Sequence, residues 1–207
     1  MFHNNNLLSF LKSRRSIKNL RSGKISQYLI EKVLEVAISA PSAHNSQPWR
    51  FLIINNKKIK NKLACSMVKV WEKDLLKDGL PKKDIKKLTE NSIYRIKNSS
   101  IVIIVCLCLE DIDVYADTKR NHTEYLMAVQ SVAASIENLL LAIHAEGLGA
   151  CWRCAPLFCP VIVKEVLNLP KNLEPQALIE IGYIKNNFPQ PSRKSLKEFV
   201  QYNQWVE

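Results

Sequence analysis

Residues 101–109 constrain the fold of this chain more than any other stretch. All nine are apolar, and the first five are β-branched. A strand with one wet face alternates apolar and polar side chains, and this one does not. The run therefore predicts a strand covered on both faces at the centre of a sheet. It is far too short to cross a bilayer, which takes about 20 residues.

The flanking sequence supplies the covering layers. A short helix is predicted over 7–13. Ser26 caps a second helix that runs to about Ser39, with Leu29, Ile30, Val33, Leu34, Ala37 and Ile38 at three- and four-residue spacing. Pro41 stops it, because proline cannot donate to the helix ladder. A loop over 41–48 leads into a strand over 49–54. Helices over 57–67 and 84–97 are separated by the turn Asp78-Gly79-Leu80-Pro81.

The longest helical pattern covers 122–146. Ala128, Ser131, Ala133, Ala134 and Ser135 in its middle allow another helix to approach closely, in a core or a dimer. Gly147 and Gly149 end it. A strand over 148–152, a helix opening at Pro160 and running to Asn168, and a strand over 176–184 follow. Helices lie between successive strands, which argues for an α/β or α+β fold around one sheet covered on both faces.

Length bounds the organisation. The chain has 207 residues, which suits one domain over 1–207 when about 150 residues per domain is the prior. At this size roughly 70% of the unfolded surface can be buried, so a core needs no staples. The net charge is +11, with much of the excess in the lysine-rich stretch 57–97. Nucleic-acid surfaces interleave basic and stacking side chains and use arginine heavily, and this stretch does neither, so no nucleic-acid partner is expected. The Asn-rich residues 1–10 lack the long apolar segment of a secretory leader. A cytoplasmic protein with reduced thiols and no membrane partner is expected.

Three segments can carry chemistry. Arg14-Arg15-Ser16-Ile17-Lys18 sets three cations and a hydroxyl just after a helix. Guanidinium forks and a hydroxyl suit a phosphate dianion; a solvated helix end uses the same residues. In Ala40-Pro41-Ser42-Ala43-His44-Asn45-Ser46-Gln47-Pro48-Trp49, two prolines bracket short polar side chains before a strand. Such a stiff loop can aim amides and hydroxyls at a flat heteroaromatic ring, or can bond its own backbone as a capped turn. Phe188-Pro189-Gln190-Pro191-Ser192-Arg193-Lys194 is kept extended by its prolines and can add cations to the same phosphate or stay an exposed tail. No G-x-G-x-x-G follows a strand and no P-loop is present, so a Rossmann dinucleotide site is not expected.

Together these segments resemble the nitroreductase family. Arg14-Arg15-Ser16-x-Lys18 resembles its R-x-S-x-R/K opening. Pro41-Ser42-x-x-Asn45-Ser46-Gln47-Pro48-Trp49 is similar to its P-S-x-x-N-x-Q-P-W loop. Gly147-Leu148-Gly149-Ala150-Cys151-Trp152 is similar to its G-L-G-x-x-W segment, and Arg193 to its terminal phosphate-binding arginine. The resemblance implies an α+β fold of three layers, with a central, mostly antiparallel mixed sheet flanked by helices. It implies a homodimer with a domain-swapped C-terminal arm, here residues 189–205, and two FMN molecules at the subunit interface. In that arrangement Arg14, Ser16, Lys18 and Arg193, with Arg15 beside them, meet the flavin phosphate. Ser42, Asn45 and Gln47 reach the flavin from the partner, and backbone around Gly147 and Gly149 lies near the ring. The flavin performs the chemistry, so no catalytic side chain and no metal are expected. The implied activity is a two-electron ping-pong transfer from NADH or NADPH, or a similar donor, through FMN to a small conjugated acceptor. A non-catalytic flavin-binding sensor is the alternative from another class.

A narrower resemblance rests on Trp71, Asp74, Leu75, Asp78 and Gly79 and the later Asp117. The pattern is similar to the nitroreductase-like C-terminal domain of the glutamate ligase that makes the deazaflavin coenzyme F(420). It implies an alternative acceptor, a dehydro precursor of that coenzyme. Family members usually carry an uncharged residue where Arg153 stands, so Arg153 is a candidate for an anionic substrate. His44, Trp71 and Asp78 join it as pocket candidates. Cys151-x-x-Cys154 with Cys159 reads as structural thiols, with a redox pair or a zinc set as alternatives.

Overall fold

The computed structural model describes residues 5–185 and 191–205. The apolar run forms strand β3 (Ile101–Cys108), buried at every position. It pairs antiparallel with β2 (Trp49–Ile54) on one side and β5 (Leu173–Ile184) on the other. Strand β4 (Leu148–Arg153) lies on the far edge of β5, since β3 and β4 share its residues 178–181 as partners. The two-residue β1 (Leu20–Arg21) pairs with the end of β5. All four ladders are antiparallel, and the parallel element is an isolated bridge between Ser16 and Ala150.

The pleat of β3 divides the core in two. Ile103, Val105 and Leu107 point to a layer containing α2 (Gln27–Ile38) and α5 (Thr118–Ala145). Val102, Ile104 and Cys106 point to a layer of α3 (Lys57–Lys77), α4 (Lys82–Asn98) and α6 (Pro160–Leu167). Alternate residues of a strand face opposite sides, so an all-apolar strand is what two packed layers require. By length and composition α5 could cross a membrane, but half of its most apolar window is buried inside this fold.

Two helices run further than the sequence predicts. Helix α3 continues ten residues past 67, because Trp71, Asp74, Leu75 and Asp78 recur at helical spacing and Leu75 is buried. Helix α5 starts at Thr118, where the Asp117 carboxylate accepts from the Arg120 amide at 2.9 Å. Asp117 thus serves as a helix cap. Strand β1 was not legible, since two residues show no period.

The N-terminal helix α1 (Asn5–Ser13) is fastened to the end of α5. The ring of Phe10 stacks on His144 with centroids 5.0 Å apart, and Ser13 Oγ lies 2.7 Å from His144 Nε2. A second fastening is internal. Lys60 is 2% exposed and donates from Nζ to the carbonyls of Ser99 (2.5 Å) and Ser100 (3.2 Å) at the end of α4. Burial, with Lys57 nearby, lowers its pKa. The tail over 191–205 lies exposed, with Leu196, Phe199, Tyr202 and Trp205 uncovered. Phe188, Pro189 and Gln190, where the expected arm begins, lie outside the described residues.

Replacing Lys60 with Met strips two buried carbonyls of a charged donor and should cost about 2–3 kcal/mol, read from urea unfolding. A second expectation concerns acid. Burial, then Arg14 and Arg15, lower the pKa of His144 below its ordinary 6.5. The fold prefers the neutral ring, so its contribution is complete above pH 6.5 and is lost as pH falls below that. Protection factors of the α1 amides, corrected for the intrinsic pH dependence of exchange, should fall on acidification, and a His144→Gln variant should lose that dependence.

Candidate functional site

The segment after α1 lies along the free edge of β4. The Ile17 amide donates to the Ala150 carbonyl at 2.8 Å, and Ile17 itself is buried. Alternation then sets Arg14, Ser16 and Lys18 on the side away from Ile17, with Ser16 and Lys18 exposed. Arg14 Nε meets Glu137 Oε1 of α5 at 3.1 Å. Arg15 turns the other way and donates to the carbonyls of Lys12 and Arg14, closing the end of α1. It does not share the edge of the other three.

Two glycines shape the neighbouring turn. Gly147 has φ +70 and ends α5, its amide donating to the His144 carbonyl at 3.0 Å. A Cβ on Gly149 would come within 2.7 Å of Leu20 and 3.2 Å of Ile17. The missing side chain at 149 therefore makes room for the chain's own N-terminal segment, a packing duty that the sequence did not reveal.

The loop over 41–48 is stiff for stated reasons. The Ala43 amide donates to Ser131 Oγ of α5 at 3.1 Å, and the Gln47 amide donates to Ser42 Oγ at 3.0 Å. The Cys108 amide donates to the Pro48 carbonyl at 2.7 Å. His44, Asn45 and Gln47 all hold positive φ, at 53, 54 and 48 degrees. Non-glycine residues in that region cost about 1–3 kcal/mol each, which the surrounding bonds must offset. Ser42 bonds its own backbone, as a capped turn does, while Asn45 and Gln47 remain exposed. His44 Nε2 approaches Glu124 Oε1 at 3.5 Å.

The loop and the N-terminal edge do not meet within one chain. The loop is held by Glu124 and Ser131 of α5, seven residues apart on one face. The edge and α1 are held by Glu137 and His144, seven apart on another. At 3.6 residues per turn the members of the two pairs are about 120–160° apart around the helix. Arg193 lies exposed in the tail.

Three of the four pocket candidates converge, while His44 stands apart against Glu124. Trp71, Asp78 and Arg153 line one cavity of about 420 Å³, joined by Asp74, Ser92 and Cys154. Helix α3 supplies Trp71 and Asp74, and its C-cap supplies Asp78. Arg153 is also tied down: its guanidinium donates to Glu180 Oε1 at 2.9 Å and to Ser92 Oγ at 2.8 Å. Arg95 grips the other carboxylate oxygen of Glu180 at 2.7 Å. Glu180 is fully buried on β5, and two guanidinium groups share it, so this trio carries one net positive charge, set against the carboxylates of Asp74 and Asp78 on the same cavity lining. Sequence reasoning missed Glu180 and Arg95; the signal was a single acid inside the apolar run Leu178-Ile179-Glu180-Ile181.

The cysteines behave as packing groups. Burial pushes the thiols of Cys151 and Cys159 up, and that of Cys106 up to about 12. Cys154 is exposed at the cavity. Among the described residues the cysteines form no group of metal-ligating side chains.

Residues 11–183 match the profile of the nitroreductase family. A protein of Archaeoglobus fulgidus, provisionally named NADH dehydrogenase/NAD(P)H nitroreductase, is 29% identical over 189 residues, covering 86% of each chain. The structure of a provisionally named nitroreductase from Desulfovibrio desulfuricans in complex with FMN is similar, with TM-score 0.74 and 25% identity over 98% of this chain and 99% of that one. A BluB-like flavoprotein of Clostridium difficile 630 shares the fold, with TM-score 0.78 and 22% identity over 97% and 100% of the two chains.

Glu180→Gln would leave two half-buried guanidinium groups facing a neutral amide at a fully buried position. It should destabilise the fold by about 3–5 kcal/mol, because removing one partner of a buried ion pair strands the others. Paired urea titrations of the unsubstituted protein and this variant measure it.

Proposed function

The chain belongs to the nitroreductase family, and we propose that it is an FMN-dependent oxidoreductase that passes two electrons from NADH or NADPH to a small conjugated acceptor. One observation carries the reading. Strand β4 has the Arg14, Ser16 and Lys18 edge beside Ala150 and the cavity residue Arg153 at its end. Three residues of strand separate Ala150 from Arg153, about 10 Å.

The donor set at the edge fits FMN. A phosphate monoester carries nearly two negative charges near neutrality, and Arg14, Lys18 and the Ser16 hydroxyl are a complement to it. In this reading Arg193 adds charge from the tail. Ser42, Asn45 and Gln47 lie on the other flank of α5, so they serve the flavin of a second copy, and the working unit is a homodimer. Backbone at Gly147 and Gly149 sits beside the ring system. Bound flavin supplies hydride and electron transfer, which no side chain here provides. The residues of this chain hold the phosphate, orient the ring and keep water from the cavity. A cavity of about 420 Å³ accepts one ring-sized molecule at a time, so donor and acceptor use it in turn.

A second reading concerns the acceptor. Trp71, Asp74 and Asp78, which resemble the deazaflavin-coenzyme branch, share one cavity with Arg153. The adjoining helices α3 and α4 expose most of the lysine excess. The lysine-rich surround and Arg153, with Asp74 and Asp78 left as hydrogen-bond acceptors, favour an anionic conjugated acceptor, such as a dehydro precursor of coenzyme F(420). Turnover of that precursor against simple nitroaromatics separates the two readings. FMN binding without NAD(P)H oxidation by any acceptor would mark a sensor instead.

The purified protein should be yellow and should quench FMN fluorescence on binding. Substituting Arg14 and Lys18 together with Ala should weaken FMN binding by about a hundredfold, near 3 kcal/mol, as two charged hydrogen-bond donors are lost. A colourless protein indifferent to both substitutions would end the proposal.

A further inference from the structure

We propose that His44, Asp113 and Glu124 form a binding site for one divalent transition-metal ion of the zinc type, which clasps the 41–48 loop to α5. This inference stands apart from the flavin reading. One ligand atom from each of the three side chains lies within 4.8 Å of the others, and no other such group occurs among the described residues. His44 Nε2 and Glu124 Oε1 are already 3.5 Å apart. Tetrahedral ligands at zinc bond lengths stand about 3.4 Å from one another. Asp113, on an exposed loop, brings its ligand atom within 4.8 Å of the other two, so closing the set takes a shift of at most about 1.4 Å.

The charge environment points the same way. The Glu124 side chain is 7% exposed, yet among the described residues its ion-pair partner is neither lysine nor arginine, only His44. A buried carboxylate without a fixed cation is costly. Arg120, four residues earlier, is not available to it: its guanidinium pairs with Asp117 and lies 4.6 Å over the Tyr115 ring. Two carboxylates and a neutral imidazole balance a dication and match the borderline preference of zinc, cobalt and nickel for nitrogen with oxygen.

The surroundings hold the ligands in place. Tyr115 Oη donates to Glu124 Oε1 at 3.3 Å, an outer-shell contact of the kind that orients metal-binding carboxylates. Asn121 bonds both the amide and the carbonyl of Tyr115, at 2.7 and 2.8 Å, which fixes the loop bearing Asp113. Ser131 fixes the residue before His44. The exposed His44 and Asp113 leave an entry path from solvent, and remaining coordination positions fall to water.

The test uses the full chain as purified, stripped with a chelator and titrated with Zn²⁺ by calorimetry and with Co²⁺ by visible absorption. A Cys154→Ser background removes the exposed thiol. We expect one ion per chain and a Co²⁺ spectrum without a thiolate charge-transfer band. His44→Gln and Asp113→Asn should each weaken binding tenfold or more; both positions are exposed, and circular dichroism checks that the fold persists. Binding unchanged in both variants, a thiolate band, or no uptake of either ion would overturn the proposal.

Discussion

A carboxylate in the middle of an apolar strand is the constraint on which the rest of this structure leans. Glu180 sits where β5 is covered on both faces, and it is tolerated there because Arg95 of α4 and Arg153 of β4 each take one of its oxygens. Buried ion groups of this kind add little net stability when whole and cost much when broken. What they specify is position. The contact fixes α4 against the sheet, orients the end of β4, and places a guanidinium in the cavity wall with its rotamer already chosen. The cavity is therefore shaped before any ligand enters.

Helix α5 organises the other half of the molecule. One face packs on the sheet, a second anchors the strained polar loop, and a third receives α1 and the cationic edge. A single helix cannot present two faces to one small molecule. Separation of the two polar segments by the body of α5 is the geometric reason a ligand needing both would call on two copies of the chain, and symmetric pairing is the commonest way to supply them. The small residues along α5 are compatible with close approach of another helix.

Much of this was legible from the residues. The unbroken apolar run announced a strand covered on both sides, Ser26 announced a helix start, and Pro41 its end, because each signal is local. Trp71 and Asp78, singled out by motif resemblance, and Arg153, singled out by its departure from the pattern, line one cavity, whereas His44 does not. The rest depends on distant partners. Nothing beside Lys60 in sequence says that its ammonium ends a helix forty residues later. Arg153 was read as a hand for substrate, and the structure engages it with Glu180 and Ser92. The space beside Gly149 is filled by Leu20, a contact that no local signal gives. In each case the deciding neighbour is far along the chain, and no period or cap encodes it.

The notch at Gly149 has a consequence for the order in which the protein comes into being. Residues 16–21 dock against Ala150, Tyr183 and Ile184. The partners of this polar cluster lie more than 130 residues further along the chain, so it stays unplaced until they have been made. Contacts of such long sequence separation are slow to form. The cationic edge is thus set only once β4 and β5 are in place.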